Sequence, residues 1–398
     1  MNMTKEKAVV ILDKSIEYLL YLMIFFIPIS IAAIEIIFTI SLFLFFFKKI
    51  LNPNFKFFKN STHIFLLLFF GFCALSFFNS GIYFAKSLKA LFAKWLEYIL
   101  IFILVEDTLN TSRRVRNAII VILLTAGLIS LDALFQQFKG IDFIRHRPLY
   151  RPLLRAYVSA SFKTQNGLAA YLLPSIILVN ILLFFQLIRE KKYYNTYLLF
   201  SLYLLSTTVF ILTECRGAWL GFILGLFLWA FLSRDKKSLL GICVFIAILI
   251  LMPASKIRIT ETFKPAGDAG RFAIWHSGID MIKENPFLGK GLGTYMDHFR
   301  QYGTIRKVYY AHNCYLQIWA EAGIFSLISF LLFAGSILYK GVRVFKKNSD
   351  ILLGGIICVI VGLLVHMFFE VHLYSLQLAT LSWFMLGLLA AKTNITKA

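Results

Sequence analysis

Three cationic side chains stand out by where they fall relative to long apolar runs. Arg216 lies in Thr213-Glu214-Cys215-Arg216-Gly217-Ala218-Trp219, a gap of a few residues between two such runs, so its guanidinium belongs at a membrane boundary. A guanidinium fixed there offers a fork of donors to two phosphate oxygens; the bland alternative is an interface arginine that snorkels or pairs with Glu214. Arg271, in Gly270-Arg271-Phe272-Ala273-Ile274-Trp275, follows Gly267 and Gly270. The pattern places it in the first turn of a helix, beside free backbone N–H groups that suit an anion. His312, in Tyr309-Tyr310-Ala311-His312-Asn313-Cys314, carries the side chain suited to taking a proton near neutral pH. Two arginines and a histidine at the ends of successive apolar runs suit a diphosphate with a proton transfer beside it.

Other motifs carry less. Arg145, Arg147, Arg151 and Arg155, a run broken by Pro148 and Pro152, read equally as contacts to an anionic substrate or as a headgroup anchor. Asn313, next to His312, is a further substrate-binding candidate. Gly289-Lys290-Gly291-Leu292-Gly293 lacks the spacing of a nucleotide loop and follows no strand, so a flexible turn is expected. His366, Glu370 and His372 could ligate an ion, but a hydrogen-bonded cluster at a boundary fits better. The outer loops hold no Asp-x-Asp pair, and neither a metal site nor a cofactor is expected. Five cysteines without a CxxC pair give no disulfide framework and no metal knuckle.

The elements that must position these groups follow from composition. Of 398 residues 59% are hydrophobic and only 15% charged, too few charges to cover a soluble domain. The excess of 41 Lys and Arg over 20 Asp and Glu would suggest nucleic acid in a soluble protein. Here it sits between runs of spanning length, so an all-α polytopic membrane protein is expected, forming one integral membrane domain over 1–398. Twelve stretches qualify as spans: 15–33, 34–50, 63–79, 88–105, 117–135, 166–188, 194–213, 217–233, 238–253, 322–340, 351–369 and 374–391. The first two are joined by a turn near Ile34–Glu35. A signal peptide, with Ser30-Ile31-Ala32 as its cleavage site, is a rival for the first.

Clusters such as Lys48 and Lys49, Arg113, Arg114 and Arg116, or Arg343, Lys346 and Lys347 recur in every second connection. They place both termini in the cytoplasm. Roughly half of the basic residues remain on the outer side, where topology does not explain them. Most fall in two outer loops, a basic one at 138–165 and the long one at 254–311. Cations concentrated there suggest an anionic ligand. Within the long loop, Phe272, Trp275, Ile279 and Ile282 recur at helical spacing opposite His276, Asp280 and Lys283. An amphipathic helix lying along the interface is expected, ended by Pro286.

Read together, Glu214-Cys215-Arg216-Gly217-Ala218-Trp219-Leu220, Gly270-Arg271-Phe272-Ala273-Ile274-Trp275 with Pro286-Phe287-Leu288-Gly289-Lys290-Gly291-Leu292-Gly293, and His312-Asn313 through Glu321-Ala322-Gly323 resemble the O-antigen ligase and O-antigen polymerase superfamily. Phe162-Lys163-Thr164-Gln165-Asn166-Gly167-Leu168 adds to the likeness, which runs from about residue 155 to 340. The resemblance implies a GT-C-like, metal-independent, inverting glycosyltransferase of the bacterial inner membrane, working at the periplasmic face. Such enzymes take a glycan from undecaprenyl diphosphate; ligases pass it to the lipid A–core of lipopolysaccharide, polymerases to another lipid-linked repeat unit. The family's two essential arginines and one histidine match Arg216, Arg271 and His312. The ligase is the favoured reading, because the basic 145–155 stretch suits a phosphorylated core. Ligation onto another acceptor, such as protein, is a third possibility. From another class, a flippase for a lipid-linked glycan would also have twelve spans, but midplane charges are confined to Lys94, Glu97 and Asp132 and no matched halves are visible.

Overall fold

The computed structural model describes residues 2–53, 60–150, 156–189, 195–234, 239–262, 269–302 and 310–397. The helices run in chain order as α1 (Asn2–Phe26), α2 (Ile31–Leu51), α3 (Ser61–Leu75), α4 (Phe84–Ala90), α5 (Leu96–Thr108), α6 (Ser112–Lys139), α7 (Gln165–Arg189) and α8 (Thr196–Leu212). They continue as α9 (Arg216–Ser233), α10 (Leu239–Leu251), α11 (Pro253–Thr262), α12 (Ala269–Glu284), α13 (Tyr295–Tyr302), α14 (Cys314–Asn348), α15 (Ile351–His366) and α16 (Leu376–Lys397). Extended pairing among the described residues is limited to two isolated bridges, Ile141 with Pro148 and Tyr150 with Tyr157.

A helix lies on each of the twelve apolar stretches, and among the described residues seven are long and apolar enough to cross a membrane: α2, α3 with the turn after it, α6, α7, α9, α14 and α16. Helices α8, α10 and α15 are shorter apolar helices. The turn between the first two helices lies at 27–30, not at Ile34–Glu35. Pro28 falls in that turn, and Ser30 caps α2 by accepting from the Ala33 N–H at 3.3 Å.

One end of the bundle is closed by ion pairs. Lys48 bridges Asp13 (2.5 Å) and Asp107 (2.8 Å), Lys49 meets Asp107 at 2.6 Å, and Arg114 holds Asp13 and Glu17 at 2.6 and 2.7 Å. These cations are largely buried, and leaving one unpaired there costs several kcal/mol, roughly 3–5.

The opposite end, which carries the candidate site, depends on two close backbone approaches. Gly217, Gly221 and Gly225 follow one another at four-residue steps along α9 and face α15. A Cβ on Gly221 would stand 2.6 Å from the Gly362 carbonyl oxygen, and one on Gly225 would stand 3.0 Å from that of Cys358. Small residues let the two backbones meet, a membrane packing mode that fixes where the N-terminus of α9 sits.

The second approach sits at a kink in α14, where Gly323 adopts φ 80° and ψ 171°. The chain from Pro286 to Gly293 wraps around it. Ile324 N–H donates to Pro286 O (2.9 Å), Lys290 N–H to Ala320 O (2.9 Å), Gly291 N–H to Glu321 O (2.8 Å), and Trp319 Nε1 to Pro286 O (3.0 Å). The buried Glu321 carboxylate accepts from the N–H groups of Gly293 (2.8 Å) and Tyr295 (3.2 Å). Gly289-Lys290-Gly291-Leu292-Gly293 is therefore a hydrogen-bonded clasp rather than a flexible turn.

Helix α12 carries a second apolar strip beside the one read from the sequence. Ile274, Met281 and Ile282 are buried in a small core shared with Tyr295, Phe299, Ala311 and Ala320. Phe272 and Ile279 stay exposed, at 64% and 44%. The helix is apolar on two adjacent strips, one packed on the protein and one left for an apolar surrounding.

Gly323→Ala places a Cβ 1.9 Å from Phe287 O in a backbone region that only glycine adopts readily. Strain of about 1–3 kcal/mol adds to that clash. Thermal unfolding in detergent is expected to show a large loss of stability; an unchanged midpoint would contradict the clasp.

Candidate functional site

The site sits where the ends of α7, α9, α11, α12, α14 and α15 meet. Arg216 is the first residue of α9, and its N-cap, Cys215, makes no side-chain capping bond. The positive end of the α9 dipole thus faces the same space as the guanidinium. Arg271, in the first turn of α12, lines the same small pocket, together with Asn166, Glu214, Cys215, Gly217, Arg258, His366 and Phe369. Arg216 and Arg271 are 55 positions apart in sequence, and the fold brings them to one cavity. Among the described residues Arg271 has no ion-pair partner, so a half-buried cation stands ready for an anion.

His312 stands on the turn leading into α14, in the left-handed region at φ 49°. Three bonds hold that turn. Trp275 Nε1, one helical turn on from Arg271, donates to Ala311 O at 3.0 Å. Ala311 N–H donates to the buried Gln317 side chain at 3.1 Å, and Cys314 N–H donates to Met367 O at 2.9 Å. Asn313 is the N-cap of α14, its Oδ1 accepting from Leu316 N–H at 3.0 Å. The residue proposed for substrate binding thus carries a structural duty beside the histidine.

His312 Nδ1 lies 3.4 Å from Glu370 Oε1, and Glu370 Oε2 accepts from Asn166 Nδ2 at 2.7 Å. Asn166 also lines the arginine pocket. One polar chain therefore joins the pocket to the histidine: Asn166, Glu370, His312. Burial by itself would push the Glu370 carboxyl up, but His312 beside it, the Asn166 amide and the Val371 N–H hold it down at about 2. A carboxylate facing Nδ1 favours the tautomer with its proton there, leaving Nε2 free to accept one.

The cluster of His366, Glu370 and His372 is resolved into separate duties. His366 Nε2 meets Cys215 Sγ at 3.4 Å and its Nδ1 meets His372 Nε2 at 3.0 Å, while Glu370 turns to His312. Burial pushes the Cys215 thiol up to about 12 and His372 down to about 4. Both are neutral near pH 7, so this line ties α9 to α15 without adding charge. Among the described residues no group of three His, Cys, Asp or Glu side chains is placed to hold a metal ion.

Arg145 and Arg147 lie elsewhere. Arg145 Nε donates to Ile29 O in the α1–α2 turn at 2.8 Å, and the backbone N–H groups of both arginines donate to Asp142. Neither lines the pocket. Arg151 and Arg155 lie outside the described residues. Sequence reading missed Arg258, whose Nε donates to Glu214 O at 3.4 Å, and missed Asn166 as a link. The second was visible only as part of a motif.

Since folding holds Glu370 below its ordinary value of 4.5, its contribution to stability is present above about pH 4.5 and fades as pH falls toward 2. That contribution is at most about 3 kcal/mol. Glu370→Gln should flatten this acid dependence in thermal unfolding between pH 5.0 and 3.5 (assay conditions of roughly that span). An acid limb identical to wild type would show that Glu370 is not held this way.

A comparison with curated proteins gave no match. A family model described as O-antigen ligase matches residues 201–331, which include Arg216, Arg258, Arg271, His312 and the clasp. Over that region the chain is similar to the O-antigen ligase family.

Proposed function

We propose that the protein transfers a glycan from undecaprenyl diphosphate to a hydroxyl of the lipid A–core, with the site at the periplasmic face of the bacterial inner membrane. In this reading twelve helices span in a GT-C-like arrangement, and both termini lie in the cytoplasm. The observation that carries it is the gathering of Arg216 and Arg271 in one pocket, joined through Asn166 and Glu370 to His312.

Arg216 and Arg271 grip the donor diphosphate, with Arg258 and the α9 N-terminus adding positive charge. His312 Nε2 takes the proton of the acceptor hydroxyl as its oxygen attacks the anomeric carbon from the face opposite the diphosphate. The bond from sugar to phosphate oxygen breaks with inversion, and its electron pair leaves on the diphosphate, where the guanidinium groups meet the growing charge. Glu370 holds the imidazole in place and stabilises the imidazolium that forms, the role of the carboxylate in a catalytic triad.

Transfer from purified lipid-linked donor should fall about 100-fold or more in Arg216→Ala, Arg271→Ala and His312→Ala variants that still fold. Arg→Lys at either position should also be poor, because a point charge does not fork onto two oxygens. Near-normal rates in all three alanine variants would remove the assignment. Supplying donor with and without lipid A–core identifies the acceptor: product on the core is the ligase outcome, and growth on the carrier lipid is the polymerase outcome. Glycan movement across proteoliposomes without bond formation would favour a transporter.

A further inference from the structure

Between α3 and α5 the chain does not run straight. It makes two short turns, Ser76–Asn79 and Gly81–Tyr83, then α4, then a wider turn at Leu91–Trp95. One side of this segment is bound to the clasp. Asn79 Nδ2 donates to Gly289 O (3.1 Å) and to Asn285 Oδ1 (3.2 Å). Ser80, Ser87 and Ala90 are buried against the clasp glycines, where a Cβ on Gly291 would stand 2.5 Å from Ser80 Cβ.

The other side is bare. Phe78 and Ile82 are 81% and 91% exposed, and Phe84, Leu88 and Phe92 form an exposed apolar strip. Beside that strip stand Lys86, Lys89 and Lys94, all exposed. Lys86 meets Asp297 of α13 at 2.5 Å, whereas Lys89 and Lys94 have no ion-pair partner among the described residues. From Ile36 to Leu96 the sequence has no Asp or Glu at all. An apolar strip edged by cations fits an amphiphile with an anionic headgroup.

Ring contacts link this surface to the turn that carries His312. The Trp95 ring lies 5.6 Å from that of Tyr374, which lies 6.4 Å from Tyr310, two residues before His312. The Lys86 charge acts on the Tyr310 hydroxyl. An amphiphile on α4 would therefore bring its headgroup near the turn that carries His312.

We propose that α4 and the turns before it are the docking surface for the lipid-anchored acceptor, with a headgroup phosphate on Lys86 and Lys89 and its chains along Phe84, Leu88 and Phe92. This rests on the transfer reading only in calling the amphiphile an acceptor. The apolar strip orients the molecule in the membrane plane, and the lysines set the depth of its headgroup.

The test uses the full chain in phosphatidylcholine nanodiscs, with phosphorylated lipid A–core and the same lipid stripped of its phosphates. Binding is measured without donor, and transfer is measured as a function of each substrate. Lys86→Gln/Lys89→Gln should weaken binding of the phosphorylated lipid and raise its KM about tenfold, with donor KM within about twofold of wild type. Wild type should show the same loss with the stripped lipid, and the double variant should lose nothing more on it. Lys89→Gln alone, which leaves the Lys86–Asp297 pair intact, should give part of the effect. Equal binding of both lipids by wild type overturns the proposal, as does a matching rise in donor KM. Displacement of the acceptor by an equal amount of phosphatidylglycerol would also overturn it, by showing a general headgroup contact. Wild type that binds through these lysines yet transfers nothing would support the surface while removing the transfer reading.

Discussion

The contact between the Pro286–Gly293 backbone and the kink of α14 sets the position of almost everything else at the site. Gly323 leaves the helical region so that Ile324 N–H can reach Pro286 O, and the two backbones lie too close for a side chain. Upstream of the kink, the first turns of α14 end at the His312 turn. Downstream, the helix continues as a long apolar span. On its other side the clasp receives Asn79, Ser80 and Ala90, so α4 is placed by the same contact. Helix α12 leads directly into the clasp and carries Arg271 at its far end. A single backbone approach thereby relates the arginine, the histidine and the bare lysine surface.

Charge explains why this arrangement suits an anion. Three arginines and a helix N-terminus face a pocket whose wall includes one carboxylate, Glu214. The second nearby carboxylate, Glu370, is engaged by His312 and Asn166. At the opposite end of the bundle the buried cations are matched closely by Asp13, Glu17 and Asp107. The contrast is between cations matched one for one by carboxylates and a pocket in which three arginines share the wall with one carboxylate.

Much of the architecture was legible from the residues. Runs of spanning length gave helices where expected, since an apolar stretch of that length has few other stable forms. Arg216, Arg271 and His312 could be singled out because each is a costly residue at a helix end. What remained hidden were contacts across the chain. The Asn166–Glu370 bond joins residues 204 positions apart, and nothing in either segment names its partner. Arg258 looked like one more loop cation. The strip of α12 that packs on protein was not read, because Ile274 and Met281 are as apolar as Phe272 and Ile279 and periodicity does not say which strip meets protein. The Gly217, Gly221, Gly225 spacing was a readable signal for the α9–α15 seam. Its partner helix was not readable.

The central claim is that the pocket of Arg216 and Arg271 is built for two linked phosphates. It is tested most directly by equilibrium binding of undecaprenyl diphosphate and undecaprenyl monophosphate, both without glycan, to the purified protein in nanodiscs. The account predicts that the diphosphate binds at least about tenfold more tightly, and that an Arg216→Gln/Arg271→Gln variant loses this preference. Equal affinity for the two lipids, or a preference that survives in the double variant, would contradict it.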